Sequence, residues 1–253
     1  MSQLDGQTVV VTGAAGGLGA PVAKLLRASG ARVIGVDRVS CPTCDESLIV
    51  DLADNEQLSA FASRLEQETP DILVNIAGLM RFGLHEDQPV DALVLCYRIN
   101  LLVPAILARA VAGPMRTRGS GQIVNIGSVL GSIPYPWFAA YSSTKAGLAA
   151  LSQGLRRELA GSRVTVTHIN PRAARTGFNN AEVNRFLDLA GMTADEPDKV
   201  AELIVTAILK RKETVSVGKA ERLYAILNAI SPRLIDMGLS KQIGRLRRAF
   251  AGN

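Results

Sequence analysis

Three residues have the types and the spacing for proton chemistry. Ser128 ends the stretch Asn125-Ile-Gly-Ser128, and thirteen residues later comes Tyr141-Ser-Ser-Thr-Lys145. Tyr141 and Lys145 stand four apart at the head of a segment whose apolar positions Leu148, Leu151, Leu155 and Leu159 repeat at helical spacing, so both side chains should leave one face of a helix. A phenol, with an ordinary pKa of about 10, is a poor acid or base at neutral pH. A cation about 4 Å away is worth up to ~4 kcal/mol at an effective dielectric near ~20, roughly three pKa units as an upper bound, which would bring the phenol toward working pH. Ser128 follows the apolar run Gln122 to Ile126, and its hydroxyl is placed to hold a substrate oxygen beside the phenol.

Such a site needs elements to carry it. Thr8 to Val11 is a β-branched run followed by Thr12-Gly13-Ala14-Ala15-Gly16-Gly17-Leu18-Gly19, and then by a helical stretch with Val22, Leu25 and Leu26 that ends near Gly30. Strand, glycine turn and helix in that order let the backbone approach a pyrophosphate, and the helix start offers unpaired N–H donors with a favourable dipole. A second strand, Ala31 to Val36, ends at Asp37, where a ribose-binding acid is expected. A carboxylate there accepts from both ribose hydroxyls and repels a 2′-phosphate, so NAD is favoured over NADP. Arg38, its neighbour, is able to receive that phosphate and keeps NADP open.

Strands and helices then alternate. Leu48 to Val50 reads as a strand ending at Asp51, Gln57 to Glu66 as a helix, and Asp71 to Asn75 as a strand running into Ile76-Ala77-Gly78. Val90 to Ala112 reads as a long helical stretch containing Asn100, and strand and helix signals continue to a last strand at Thr214 to Val217. Repeated β-α units imply a parallel sheet covered on both faces, with ligands at the carboxyl ends of the strands, where Gly13, Asp37, Asn75, Ser128 and Pro171 fall. Only about ten residues separate Val36 from Leu48, so that crossover is expected to be a loop or a single turn.

The chain resembles a classical short-chain dehydrogenase/reductase over about residues 5 to 217. The resemblance rests on the Thr-Gly-x-x-x-Gly-x-Gly turn, Asn-x-Ala-Gly at Asn75 to Gly78, Asn100 in a helix, and Ser128 ahead of Tyr-x-x-x-Lys. It implies a doubly wound, mostly parallel α/β sheet of the Rossmann type for residues 1–218. It also implies a catalytic tetrad, with Tyr141 as general acid/base and Lys145 binding the nicotinamide ribose and depressing the tyrosine pKa. Ser128 would polarise the carbonyl, and Asn100 would order a water in a proton relay. Gly13, Gly17, Leu18, Gly19, Asp37, Asp51, Leu52, Asn75, Ala77, Gly78, Tyr141, Lys145, Pro171 and Thr176 are implied to hold the dinucleotide. Where the family usually has Pro-Gly and then a threonine that contacts the nicotinamide, this chain reads Pro171-Arg172-Ala-Ala-Arg175-Thr176, which puts that contact in question. The implied reaction is hydride transfer between nicotinamide and a hydrophobic ketone or secondary alcohol, with a 3-oxoacyl thioester as one candidate. The implied assembly is a homodimer or homotetramer, and the alternative function is a dinucleotide-binding regulatory or scaffold protein without turnover.

The 253 residues, 47% hydrophobic and 20% charged, suit one globular domain. No apolar run of membrane-span length is expected, and the start of the chain reads directly into a strand without a cleavable leader, so a cytoplasmic protein is expected. Cys41, Cys44 and Cys96 cannot make a disulfide framework. Cys41-Pro-Thr-Cys44 has the form of a half metal site but lacks a second ligand pair, with only His85 and His168 elsewhere, so no metal is expected.

Residues 219–253 form a basic amphipathic extension. Seven basic and two acidic residues give it the chain's whole net charge of +5. Leu223, Ile226, Leu227 and Ile230 make one helical stripe, Pro232 interrupts, and Ile235, Leu239, Ile243, Leu246 and Phe250 make a second, with Lys241, Arg245, Arg247 and Arg248 interspersed. Three readings stand. The pair of helices closes the substrate cleft or a subunit interface, docks peripherally on an anionic membrane surface, or meets an acyl carrier protein together with Arg116, Arg118 and Arg163, which are expected in loops flanking the active-site elements. Nucleic acid is not an expected partner, because aromatics are only 4% and no stacking platform is evident.

Overall fold

The computed structural model describes residues 3–250, except the side chains of Lys219 and Lys241. Residues 1–2 and 251–253, and the Lys241 side chain named in the basic extension, therefore lie outside what is described. Seven strands form one sheet: β1 Thr8–Thr12, β2 Arg32–Asp37, β3 Glu46–Ile49, β4 Ile72–Asn75, β5 Gly121–Ile126, β6 Val164–Asn170 and β7 Thr214–Ser216. Their order is β3-β2-β1-β4-β5-β6-β7, and every pairing is parallel. The strand order reverses between β1 and β4, which opens a crevice at their carboxyl ends. The crossover between β2 and β3 contains turns and no helix, as its length requires.

Strand periodicity splits the core between two faces. Val9, Val11, Val74, Val124 and Ile169 face α1 (Gly19–Ala28) and α7 (Pro197–Leu209). Val10, Val36, Leu73, Ile123 and Val166 face α2 (Asn55–Gln67) and the helix that carries Leu107, Val111 and Met115. Each such fully buried aliphatic side chain contributes roughly 1.5–3 kcal/mol.

The long helical stretch expected from Val90 is not one regular helix. It runs as α3 (Val90–Tyr97), a π turn (Arg98–Leu102) and α4 (Val103–Arg118). In a regular α-helix the carbonyl of Asn100 would accept from residue 104, and residue 104 is a proline without an N–H. The helix widens where that donor is missing. By length and composition, Val90–Arg118 is also apolar enough to cross a membrane, contrary to the expectation of no such run. In this fold its α4 half packs on the sheet.

The site-bearing helix α5 (Ala139–Glu158) is followed after β6 by α6 (Ala181–Leu189), and after β7 by α8 (Lys219–Ile230) and α9 (Pro232–Phe250). The break at Pro232 is where the sequence puts it. A third apolar cluster joins α6 to α9 through Tyr135, Trp137, Phe138, Phe186 and Leu246, with Phe82 and Phe250 against it.

Candidate active site

The turn after β1 is closed to side chains. Gly13 has φ +70° and donates its N–H to Val36 O at 2.8 Å, and a Cβ on it would lie 2.8 Å from Ala77 Cα. A Cβ on Gly19 would collide with the Gly13 carbonyl, and one on Gly17 would lie 2.6 Å from Thr176 Cβ. Bare backbone and the start of α1 therefore face the cleft, which is the arrangement a pyrophosphate requires. At the end of β2, Asp37 accepts from Ala15 N at 3.0 Å and from Arg38 N at 2.7 Å, so the carboxylate is braced against the glycine turn.

One cleft of about 1130 Å³ takes in Gly13, Gly17, Leu18 and Gly19 from the turn, Asp37 at the end of β2, Asp51 and Leu52 after β3, and Ala77 and Gly78 after β4. Arg38 also reaches it. The same cleft holds Ser128, Tyr141, Lys145, Pro171 and Thr176. Thr176 keeps its place although Arg172 replaces the family's glycine. The guanidinium of Arg172, at the cleft wall, is held by Asp195, with contacts of 2.7 and 3.1 Å, and by Glu221 at 3.3 Å, tying the segment after β6 to α8.

Two expected site residues do not line the cleft. Asn75 is buried and donates its side-chain N–H to Asn125 Oδ1 at 2.9 Å, linking β4 to β5. Asn100 is fully buried. Its Oδ1 accepts from Leu79 N at 2.9 Å, and its Nδ2 donates to Leu79 O at 3.0 Å and Thr144 Oγ1 at 3.2 Å. Through these bonds the Asn100 side chain positions the segment that carries Gly78 and Leu79.

Tyr141 and Lys145 leave α5 toward β5. Lys145 Nζ donates to Ile126 O at 2.8 Å and lies 5.8 Å from the centre of the Tyr141 ring. Ser128 Oγ accepts from Leu130 N at 3.1 Å, and Ser128 N donates to Asn170 Oδ1 at 3.2 Å, which fixes the serine at the mouth of β5. The charge argument from spacing fails here in its direction. Burial pushes the Tyr141 phenol up to about 12, opposed by its hydrogen bond with Ser128, and burial pushes Lys145 down to about 8. Desolvation is the largest cause of both shifts, because both groups are taken out of water.

Two contributors have a role that spacing alone does not show. Thr12 Oγ1 accepts from Ile76 N and Ala77 N, each at 3.2 Å, and so locks the segment after β4 onto the glycine turn. Asn170 sets Ser128. Both are ordinary polar residues whose partners are remote in sequence. The Cys41-Pro-Thr-Cys44 pair packs against Gly35, and burial raises both thiols above their ordinary range. Among the described residues no cluster of three or more His, Cys, Asp or Glu is arranged to hold a metal. Arg118 and Arg163 precede β5 and β6, at the amino ends of the strands. They and Arg116 thus flank β5 and α5 at the end of the sheet opposite the cleft, and Arg118 is bonded to Thr69 O and Pro70 O.

The chain belongs to the short chain dehydrogenase family, whose profile matches residues 7–186. It is 30% identical over 257 residues to the ketoacyl reductase HetN of Nostoc, covering 93% of this chain and 89% of that one. Alignments with curated relatives span from 60% to 93% of the relatives' own length. Among solved structures, a short-chain dehydrogenase from Sphingobium yanoikuyae in complex with NADPH matches with TM-score 0.77 and 28% identity, covering 91% of this chain and 96% of that one. A 4-hydroxyisoleucine dehydrogenase complexed with NADH matches with TM-score 0.72 and 26% identity, covering 83% and 95%. The chain is an NAD(P)-dependent oxidoreductase. The bare glycine turn, the helix start and Asp37 fit that nucleotide.

Proposed function

We propose that the enzyme interconverts a bulky lipophilic ketone and its secondary alcohol, with long-chain 3-oxoacyl thioesters inside that class, and that it prefers NAD to NADP. The observation that carries the substrate class is the wall of the cleft beyond Tyr141. Leu79, Met80, Leu130, Ile133, Tyr135 and Phe138 come from one side, and Phe178, Val183, Leu187, Met192, Ile235 and Leu239 from the other. Large apolar surface with few polar groups selects for apolar bulk.

The bound dinucleotide supplies the hydride. Ser128 holds the substrate oxygen, and Tyr141, its O–H at the same place, gives the proton in reduction and takes it in oxidation. A phenol at about 12 remains protonated at neutral pH, which suits the reducing direction. Lys145, aimed by the Ile126 carbonyl, would bind the nicotinamide ribose, and Thr176, packed against the glycine turn, would contact the nicotinamide amide. The carboxylate of Asp37 disfavours a 2′-phosphate.

The test is a matrix of initial rates with NADH and NADPH against acetoacetyl and long-chain 3-oxoacyl thioesters, small ketones and bulky aryl or steroidal ketones. The expected result is kcat/KM rising with apolar size and higher with NADH. Equal or better rates on small polar ketones would overturn the substrate class, and a parent enzyme that prefers NADPH would overturn the nucleotide assignment.

A further inference from the structure

Helices α8 and α9 are apolar on two sides. Inward, Ile235, Leu239 and Leu246 are buried or half-buried against the cleft and the aromatic cluster, and Gln242 accepts from the Tyr135 hydroxyl at 2.5 Å and donates to Ala190 O at 2.6 Å. Outward, Leu223, Ile226, Ile230, Leu234 and Met237 are 56–76% exposed. With Tyr224 they make six of the fifteen exposed large hydrophobics among the described residues, all within one span of fifteen positions. The inner side is what a cleft lid requires. The outer side is unexplained by packing.

Charge selects what covers it. Arg222, Arg233, Arg245, Arg247 and Arg248 are exposed on the same two helices, and none is in an ion pair with a carboxylate of the described residues. Of the two tail acids, Glu221 is taken up by Arg172, which leaves Asp236 as the exposed one. A second copy of this chain docked face to face would set one basic surface against another, which costs association. An apolar stripe edged with arginine instead matches a membrane interface, where side chains enter the acyl boundary by about 5–10 Å and each basic residue gains about 1 kcal/mol from anionic headgroups.

We propose that α8 and α9 dock the enzyme peripherally on an anionic lipid surface, with Leu223, Ile226, Ile230 and Met237 entering the interface and the arginines engaging headgroup phosphates. Tyr224 and Leu234 are 53% and 57% exposed and also line the cleft, so the mouth of the cleft opens on the docking face. On the reading that the substrate is lipophilic, it enters from the bilayer without crossing water. Docking itself does not depend on that reading.

The test is sedimentation of the full-length protein with vesicles of phosphatidylcholine alone and of phosphatidylcholine with an equal part of phosphatidylglycerol, without substrate or nucleotide. Binding is expected to the anionic vesicles and to weaken as salt rises. Ile226→Ser with Ile230→Ser should weaken it about a hundredfold, and Arg245→Glu with Arg248→Glu roughly thirtyfold. All four positions are at the surface and outside the site, so turnover of a water-soluble ketone by both variants should match the parent, which also reports that they are folded. No sedimentation of the parent with anionic vesicles at low salt overturns the proposal. So does equal binding to both vesicles, and so does binding unchanged in both variants. Concentration-dependent dimerisation abolished by the same substitutions assigns the face to a second copy, and association with an acidic carrier protein in place of vesicles assigns it to that partner; either result overturns lipid docking.

Discussion

The two halves of the cleft are built by opposite means. On the nucleotide side, backbone does the work: Gly13, Gly17 and Gly19 leave no room for side chains, Thr12 bonds two successive N–H groups after β4, and Asp37 is braced on Ala15. On the substrate side, side chains do it. Five of the chain's other ten aromatic residues gather around Phe186, with ring centres 5.1 Å away for Phe138 and 5.5 Å for Phe82. A surface made by backbone geometry tolerates little change and recognises one kind of ligand. A surface made by packed rings is adjustable, and it sets what else may enter beside that ligand.

The boundary between the halves is the sharpest place to break this comparison. Tyr141→Phe removes only the proton donor, so turnover should fall about a thousandfold while the nucleotide dissociation constant, measured by fluorescence titration, stays within about twofold. Turnover within about tenfold of the parent would sink the proton assignment. Next in size is Phe186→Ala. It empties the centre of the aromatic cluster and should cost roughly 3–5 kcal/mol, read as a fall in Tm of about 10 °C, with KM for a lipophilic ketone raised and nucleotide affinity nearly unchanged. If nucleotide affinity falls in parallel, the two halves are not separable.

A pH profile probes the same boundary from its chemistry. Alcohol oxidation needs the phenolate, and with the phenol pushed up to about 12 the phenolate fraction is small and grows with pH. Oxidation should therefore rise from pH ~7 to ~9 by up to about tenfold per unit, while reduction, which uses the protonated phenol, should not rise. A flat oxidation profile over that range would show another group doing the proton transfer. The smallest effect belongs to the nucleotide half. Asp37→Ala should weaken NAD binding by about tenfold and leave NADP binding equal or tighter, because two ribose hydrogen bonds and a repulsion disappear together.

What the sequence makes legible follows the same division. The glycine turn, Asp37 and the Ser128, Tyr141, Lys145 set are local spacings within single strand-to-helix junctions, and a spacing survives translation into structure. The seven alternating units and the helixless crossover were readable for the same reason. The burial of Tyr141 and Lys145 was not, because the number of residues between two groups says nothing about water. The inverted direction of the phenol's shift is the result. Nor does spacing reveal contacts across the fold, such as Phe82, Phe186 and Phe250 converging, Asn170 setting Ser128, or Asn100 turning its side chain to Leu79. Pro104 was visible in the sequence, but its effect on the Asn100 carbonyl needs the helix to be known first. The amphipathic period of the tail was correct, yet a period alone does not say that both sides are apolar or which one faces out.

Arg172 gives the tail a mechanical meaning. Its guanidinium grips Asp195, which closes the segment that holds Thr176, and Glu221, in the first turn of α8, so one side chain ties that segment to the C-terminal helices. Displacing α8 must then strain the nicotinamide-side loop or break an ion pair, and any shift of that loop on ligand binding that alters the Arg172 contact alters the free energy of α8's stance as well. By linkage the two effects are equal in free energy, so occupancy of the cleft and the stance of the C-terminal helices report on one another.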